Sequence, residues 1–377
     1  MSDLAQFDPW FTTDNFAALV IREYLEPVEG PDGVLFPATY AAAEDKKVFP
    51  GGYNIDPPEG EKNVCLVDSV GSQANRIEPI FAKPDYAHLV PQISVKAGEK
   101  SVSILEAGHR AGDALVRCTP LQKELQDAFK AVLKGNAEPL ARIAPTSLVF
   151  GVWDSRDTQA KLPRLIASTI RAFDVRRLKR SAQYNPSTDY IGDKLLEETA
   201  DKKLKDAYAE RGFVHVPATG SHGGVIATGE IRRDATLSLA ALRLLAAREA
   251  NGTVKADRTK DLRRYILGLS LVAFTSNAST YLRQGCNLVP SEKPRVFNLV
   301  HSDGKREPQK LTPADALKYA TAAAKAFKVG EGKEVIFDPK LAVADIKGEG
   351  DTKAATKAAA KKAAKASQEA STAEGAE

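Results

Sequence analysis

Two hydrophobic periods alternate along the chain and divide it into strands and helices. Val64-Cys65-Leu66-Val67 is a short apolar run closed by Asp68, as in a buried strand. The next residues, SVGSQANRIEPIF, begin with Ser, Gly and Asn and predict a turn and a helix start. Ile93 and Val95, then Val102 and Ile104, alternate about Gly98, which predicts two strands within 89–107. Between Thr119 and Gly135 the stripe Leu121, Leu125, Phe129, Val132, Leu133 predicts a helix. Thr119 would cap it, Pro120 and Gln122 suit its first turn, and Gly135 would stop it. Ser147–Trp153 predicts a further strand. Arg164–Arg180 fits either period, and the alternation of Ile166, Ser168 and Ile170 favours a strand.

Farther on, residues 191–211 predict a charged, weakly amphipathic helix inside a polar insertion. Val225–Ile231 predicts a strand, with Asp234 capping a helix through Ala247. Leu262, Tyr265, Ile266, Leu269 and Ala273 follow helical spacing. Thr312-Pro313 opens a helix ending near Gly330, and Val335-Ile336-Phe337 is a late strand. This order predicts an α+β sandwich, not a strictly alternating parallel sheet. From Asp351 the chain is Ala/Lys-rich, then Ser/Glu-rich, with no large apolar residue, which predicts a disordered tail over 351–377.

Composition narrows the function classes. The 377 residues are 43% hydrophobic and 27% charged, ordinary for a globular protein. Three separated cysteines, without a CxxC or Cys/His cluster, argue against a disulfide framework or a zinc site. They predict a reducing, cytoplasmic location. The first residues lack a signal-peptide pattern, and no apolar run is long enough to span a bilayer. Net charge is only +4, but residues 161–183 carry seven Lys or Arg against one Asp. That local excess suggests a polyanion footprint on an otherwise near-neutral body.

Three segments could carry chemistry. In SVGSQANRIEP, Gln73, Asn75 and Arg76 follow a buried strand and suit phosphate and sugar contacts, although an ordinary strand-to-helix turn looks the same. The basic stretch supplies Arg164, Arg171, Arg176, Arg177, Lys179 and Arg180, with Gln183 and Tyr184 after them. Its plainer alternative is a solvated face. In an unbroken strand Arg171 and Arg177 would share one face and Arg176 would take the other. In ATGSHGGVIATGEIRRD, His222 could be a base or ligand, but it has no partner motif and reads better as a loop histidine near a backbone or phosphate. Arg232 and Arg233 follow it as further candidate contacts. Scattered aspartates (Asp68, Asp154, Asp157, Asp174) identify no reaction. No Walker loop, GxGxxG or GxSxG is present, so no catalytic residue, metal or cofactor is expected.

The runs VDSVGSQANRIEP, FGVWDSR with KLPRLIASTIRAFDV, RSAQY and SHGGVIATGEIRRDATLSL resemble the RAMP-superfamily backbone subunit of type I-G (formerly I-U) CRISPR Cascade complexes. The resemblance covers about residues 15–340. It implies an RRM-like, ferredoxin-type palm over 1–350 with inserted finger or thumb elements, the stretch at about 185–215 being a candidate. It also implies a non-catalytic subunit that stacks head to tail with copies of itself along guide RNA. Such a subunit presents the guide to target DNA beside the other Cascade subunits. Gln73, Asn75 and Arg76 would then be guide contacts, with the basic stretch, His222, Arg232 and Arg233 as further candidates. Two rival readings remain: a RAMP-type RNA endonuclease that processes the guide, and a structural adaptor whose basic stretch faces a protein.

Overall fold

The computed structural model describes residues 3–57, 62–276 and 281–347, so the tail expected from Asp351 lies outside the described residues. In chain order come strand β1 (Phe16–Pro27), strand β2 (Val64–Asp68) and helix α1 (Val70–Ile77). Strands β3 (Ile93–Ala97) and β4 (Lys100–Ser103) precede helices α2 (Gln122–Leu133) and α3 (Glu138–Ile143). Then follow β5 (Ile166–Phe173), β6 (Val175–Tyr184), β7 (Val216–Ala227) and β8 (Ile231–Ser238). Helix α4 (Ala256–Thr275), β9 (Cys286–Pro290), β10 (Val296–His301), α5 (Pro313–Phe327) and β11 (Lys333–Ile336) complete the order.

An antiparallel sheet organises the fold, with β1 flanked by β8 on one side and by both β10 and β9 on the other. Beyond β8 come β5 and then β2. Period-two alternation makes this sheet one-sided. Leu19 and Ile21 of β1, Ile166 of β5, and Ala235 and Leu237 of β8 all enter one core. The intervening residues point away from it. Helix α4 is buried over most of its length, because it lies between the sheet and α5. Tyr265 stacks on Phe327 at 4.6 Å and donates its hydroxyl to the Leu89 carbonyl at 2.8 Å. A second apolar cluster, including Cys65, Val67, Ile170, Ala172, Val175 and Val225, continues the covered face under the base of the β6–β7 ribbon. Cys65, Cys118 and Cys286 are buried free thiols.

Several expectations hold. The Val64 run is a strand, Ser69 caps α1 by accepting from the Ser72 N–H, and β3 and β4 pair about Gly98. Thr312 and Asp315 form a reciprocal capping box at the start of α5. Others fail for identifiable reasons. Ser147 is not in a strand: Thr146–Phe150 is a wholly buried helical turn ended by Gly151 at φ 76°, and only Val152–Trp153 is extended. A short apolar run surrounded by protein carries neither period. Asp234 does not cap a helix but sits within β8; Ser238 caps the short helix Leu239–Arg243 instead. Thr119 serves a turn, accepting from the Leu121 N–H at 3.2 Å, and α2 begins only at Gln122. The insertion between β6 and β7 forms a shorter helix than expected, Lys202–Glu210. The central strand β1 and its neighbours β9 and β10 were not predicted; in β1, FAALVIREYLEP mixes an apolar run with charges that only sheet register explains.

Helices α4 and α5 approach so closely that a Cβ at Gly268 would lie 2.8 Å from the Ala320 Cα. Gly268→Ala should therefore lower stability by about 1–3 kcal/mol, although alanine favours helix, because backbone must move. Denaturant melts of both proteins check this; an unchanged or raised midpoint would contradict the packing argument.

Candidate nucleic-acid interface

The uncovered face of the sheet is assembled by register. Arg22 of β1 lies opposite Asp234 of β8, Tyr24 lies opposite Arg232, and Arg232 lies opposite Arg171 of β5. Arg22 and Arg232 both donate to the Asp234 carboxylate at 2.9 Å, and Arg232 also pairs with Glu230 at 3.2 Å. Burial by itself pushes the Asp234 carboxyl up, but the two guanidinium hydrogen bonds outweigh it and hold the group below its ordinary range. The Arg232 guanidinium lies 4.3 Å from the Phe173 ring centroid, and Lys293 Nζ lies 5.2 Å from that of Tyr24. Arg171 donates to the Thr169 hydroxyl at 2.6 Å. The result is a patch of guanidinium, hydroxyl and aromatic groups on the open face.

The β6–β7 ribbon extends this sheet. Arg176, Arg177, Lys179 and Arg180 are all exposed on it, and no carboxylate among the described residues pairs with them. Asp174, at φ 52°, interrupts the strand between Phe173 and Val175. Ala172 pairs with Ile231 and Val175 pairs with Ala227, and all four join the covered cluster. Alternation therefore slips by one residue at Asp174, as in a β-bulge. This reverses the parity expected from sequence: Arg176 continues the face that carries Arg171, and Arg177 takes the opposite side. Arg180 approaches the Phe36 ring at 5.8 Å. His222 is exposed, lies opposite Lys179 and has its ring 5.0 Å from that of Tyr53.

The helix α1 candidates divide. Gln73 is buried, with its amide spanning Asp68 (2.6 Å, donating) and the Ser168 hydroxyl (3.0 Å, accepting). It braces helix to sheet and presents nothing to solvent. Arg76 donates to the fully buried Asp68 at 3.2 Å, and Arg283 donates to the same carboxylate at 2.8 Å. Asn75 is exposed and accepts from Arg110 Nη2 at 3.1 Å. Arg164 is exposed just before β5, outside the open-face register. Arg233 is also misplaced by the sequence reading. It faces the core, only 1% exposed, and is neutralised by Glu23 at 2.8 Å. Adjacent arginines in a strand point to opposite faces, so only one of the RR pair can line the open side. The sequence reading missed Arg22, Tyr24 and Phe173, whose placement needs the β1–β8–β5 register. Among the described residues, no group of three or more His, Cys, Asp or Glu could hold a metal ion. None of the described helices is long and apolar enough to cross a membrane.

Two stability tests follow from these buried charges. Arg233→Met leaves Glu23 without its main partner and should cost about 3–5 kcal/mol, read from denaturant melts. A near-neutral effect would place Arg233 in a solvated setting. Glu78, ion-paired with Arg110, is pushed up to about 7 by burial, with Arg110 opposing the shift. Its native state holds a proton that the unfolded chain releases near the ordinary value of 4.5, so its contribution to stability declines as pH rises towards 7. Glu78→Gln should flatten that decline in thermal melts, whereas an unchanged profile would assign it to other groups.

No curated protein matches this chain. Residues 19–177 match the family model described as CRISPR-associated protein GSU0053. The matched span runs from Leu19 in β1 through α1 and β5 to Arg177 in β6, so it carries Arg22, Arg171 and Arg176 but ends before His222 and Arg232. Over that span the chain is similar to a CRISPR-associated protein family.

Proposed function

We propose that the protein is a non-catalytic, guide-RNA-binding backbone subunit of a CRISPR effector complex, with an RRM-like palm. The observation that carries this reading is the open sheet face, where Arg22, Arg171, Arg232, Tyr24 and Phe173 lie together and run on into the unpaired cations of the ribbon. The strand order β10–β1–β8–β5, with α4 between β8 and β10, is the order of a ferredoxin-type βαββαβ unit. Such sheets bind single strands by stacking bases on exposed aromatics while cations follow the backbone. The similarity of residues 19–177 to a CRISPR-associated family supplies the biological setting. In that setting base pairing reads the target DNA, so the protein needs to grip backbone and shape alone. The insertion between β6 and β7 would be the finger element, and head-to-tail stacking of copies along the guide would make an open filament beside other subunits of the complex.

Salt dependence tests the interface. Replacing Arg171 and Arg176 by Ala should make the log–log salt slope of single-stranded RNA binding shallower by about 0.7 for each phosphate released. The effect should be equal on unrelated guide sequences, because phosphates carry no sequence. Arg177→Ala, on the other side of the ribbon, should leave the slope unchanged. An unaltered slope in the double variant would remove the open face from the interface. Assembly is checked by mass and absorbance ratio after co-expression with a guide array, where a ladder of RNA-containing species is expected. Site-specific cleavage of labelled repeat RNA would overturn the non-catalytic reading.

A further inference from the structure

A cleft of about 510 Å³ lies apart from the open sheet face. Its walls are the His109–Arg110 turn and the paired short strands Val152–Trp153 and Lys161–Leu162, with Pro163 and Arg164 at the end. Arg110 ties the cleft to α1, on the covered side of the sheet, through its bond to Asn75, and a second bond from Nη1 reaches the Gly151 carbonyl at 3.2 Å. The chemistry of the lining is one-sided. Arg110, Lys161 and Arg164 contribute cations, and among the described residues that line it there is no carboxylate. The nearest acid to its His109 edge is Asp113, 3.6 Å from the imidazole. Arg110 is buried and held by Glu78, Asn75 and the Gly151 carbonyl, so the exposed charge belongs to Lys161 and Arg164.

Trp153 is the other unusual feature. The residue is 57% exposed in a protein whose remaining tryptophan, Trp10, is buried, and Lys161 Nζ stands 5.4 Å from its ring centroid. An exposed indole forgoes the burial its large apolar surface favours, and a flexible ammonium stands over the ring of this one. A planar π-face beside two exposed cations, in a cavity within the usual size for small ligands, matches one kind of guest. We propose that this cleft takes a single nucleotide, its base stacked on Trp153 and its phosphate held by Lys161 and Arg164. The inference rests on the nucleic-acid reading above only for the source of that nucleotide, which is one residue of a single strand or a free mononucleotide.

Tryptophan fluorescence separates these outcomes, since buried Trp10 is shielded and a quench reports on Trp153. The full chain is titrated with uridine monophosphate, oligo-uridine RNA and oligo-thymidine DNA, with binding of labelled oligonucleotides followed in parallel by anisotropy. Oligonucleotide binding should quench Trp153. Trp153→Ala should weaken binding about tenfold, in line with the loss of one base–aromatic stack, while Trp153→Phe retains most of it. The Lys161→Ala, Arg164→Ala double variant should weaken binding without removing the quench at saturation. Quenching by the mononucleotide alone would identify a free nucleotide as the guest. If oligonucleotides bind without quenching and Trp153→Ala binds as tightly as the parent, the cleft proposal is overturned and the open-face reading survives. If no oligonucleotide binds, the open-face reading fails, and the mononucleotide titration alone decides the cleft: no quench there overturns it.

Discussion

Everything on the functional side follows from one constraint: the central antiparallel sheet buries one face and leaves the other uncovered. Helix α4, with α5 beyond it, occupies the covered side, where Leu19, Ile21, Ala235 and Leu237 meet it. Because successive residues in a strand point to opposite faces, that burial forces Ala18, Val20, Arg22 and Tyr24 to the other side. The same logic sends Arg232 outward and Arg233 inward. Arg233 survives in the interior only because Glu23, the inward residue opposite it on β1, neutralises it. A nearly dry Arg–Glu pair is thus a consequence of strand register, and it pins that register in return.

Charge on the open side is organised in two grades. On the sheet itself, Asp234 binds both Arg22 and Arg232, so these guanidiniums are held in place with much of their charge compensated. Groups fixed in this way hold a defined orientation on the surface. On the ribbon, Arg176, Arg177, Lys179 and Arg180 carry uncompensated charge on an exposed two-stranded element. The single-residue slip at Asp174 brings Arg176 into line with Arg171, so the held and the free charges form one continuous track. Without that slip, Arg177 would take the place of Arg176 on that face.

Asp68 performs a comparable service on the covered side. Its buried carboxylate receives Gln73, Arg76 and Arg283, which joins β2, α1 and the segment before β9 at one point. Gln73 passes the connection to Ser168 in β5. Three donors on one carboxylate satisfy its lone pairs without water, which is the condition for burying it. The segment that looked most like a ligand loop in the sequence is therefore chiefly a structural joint, with Asn75 and part of Arg76 left at its surface.

Elements with local signals were legible in the chain alone. Ser69 at the head of α1, the Thr312–Asp315 box, the β3–β4 pair about Gly98 and the concentration of arginines between 161 and 183 all depend on neighbours in the chain. Caps, turns and charge density need no distant partner, so they could be read directly. Which face each side chain took was settled by packing instead. Arg232 and Arg233 are the same residue type in opposite environments, and the amides Gln73 and Asn75 are separated by which side of α1 meets the sheet. The central strand β1 escaped prediction because its meaning lies in partners more than 200 residues away, Asp234 and Arg233 among them. The slip at Asp174 reversed the expected pairing of arginines for the same reason. A left-handed residue is set by the strands it joins, and no local pattern announces it.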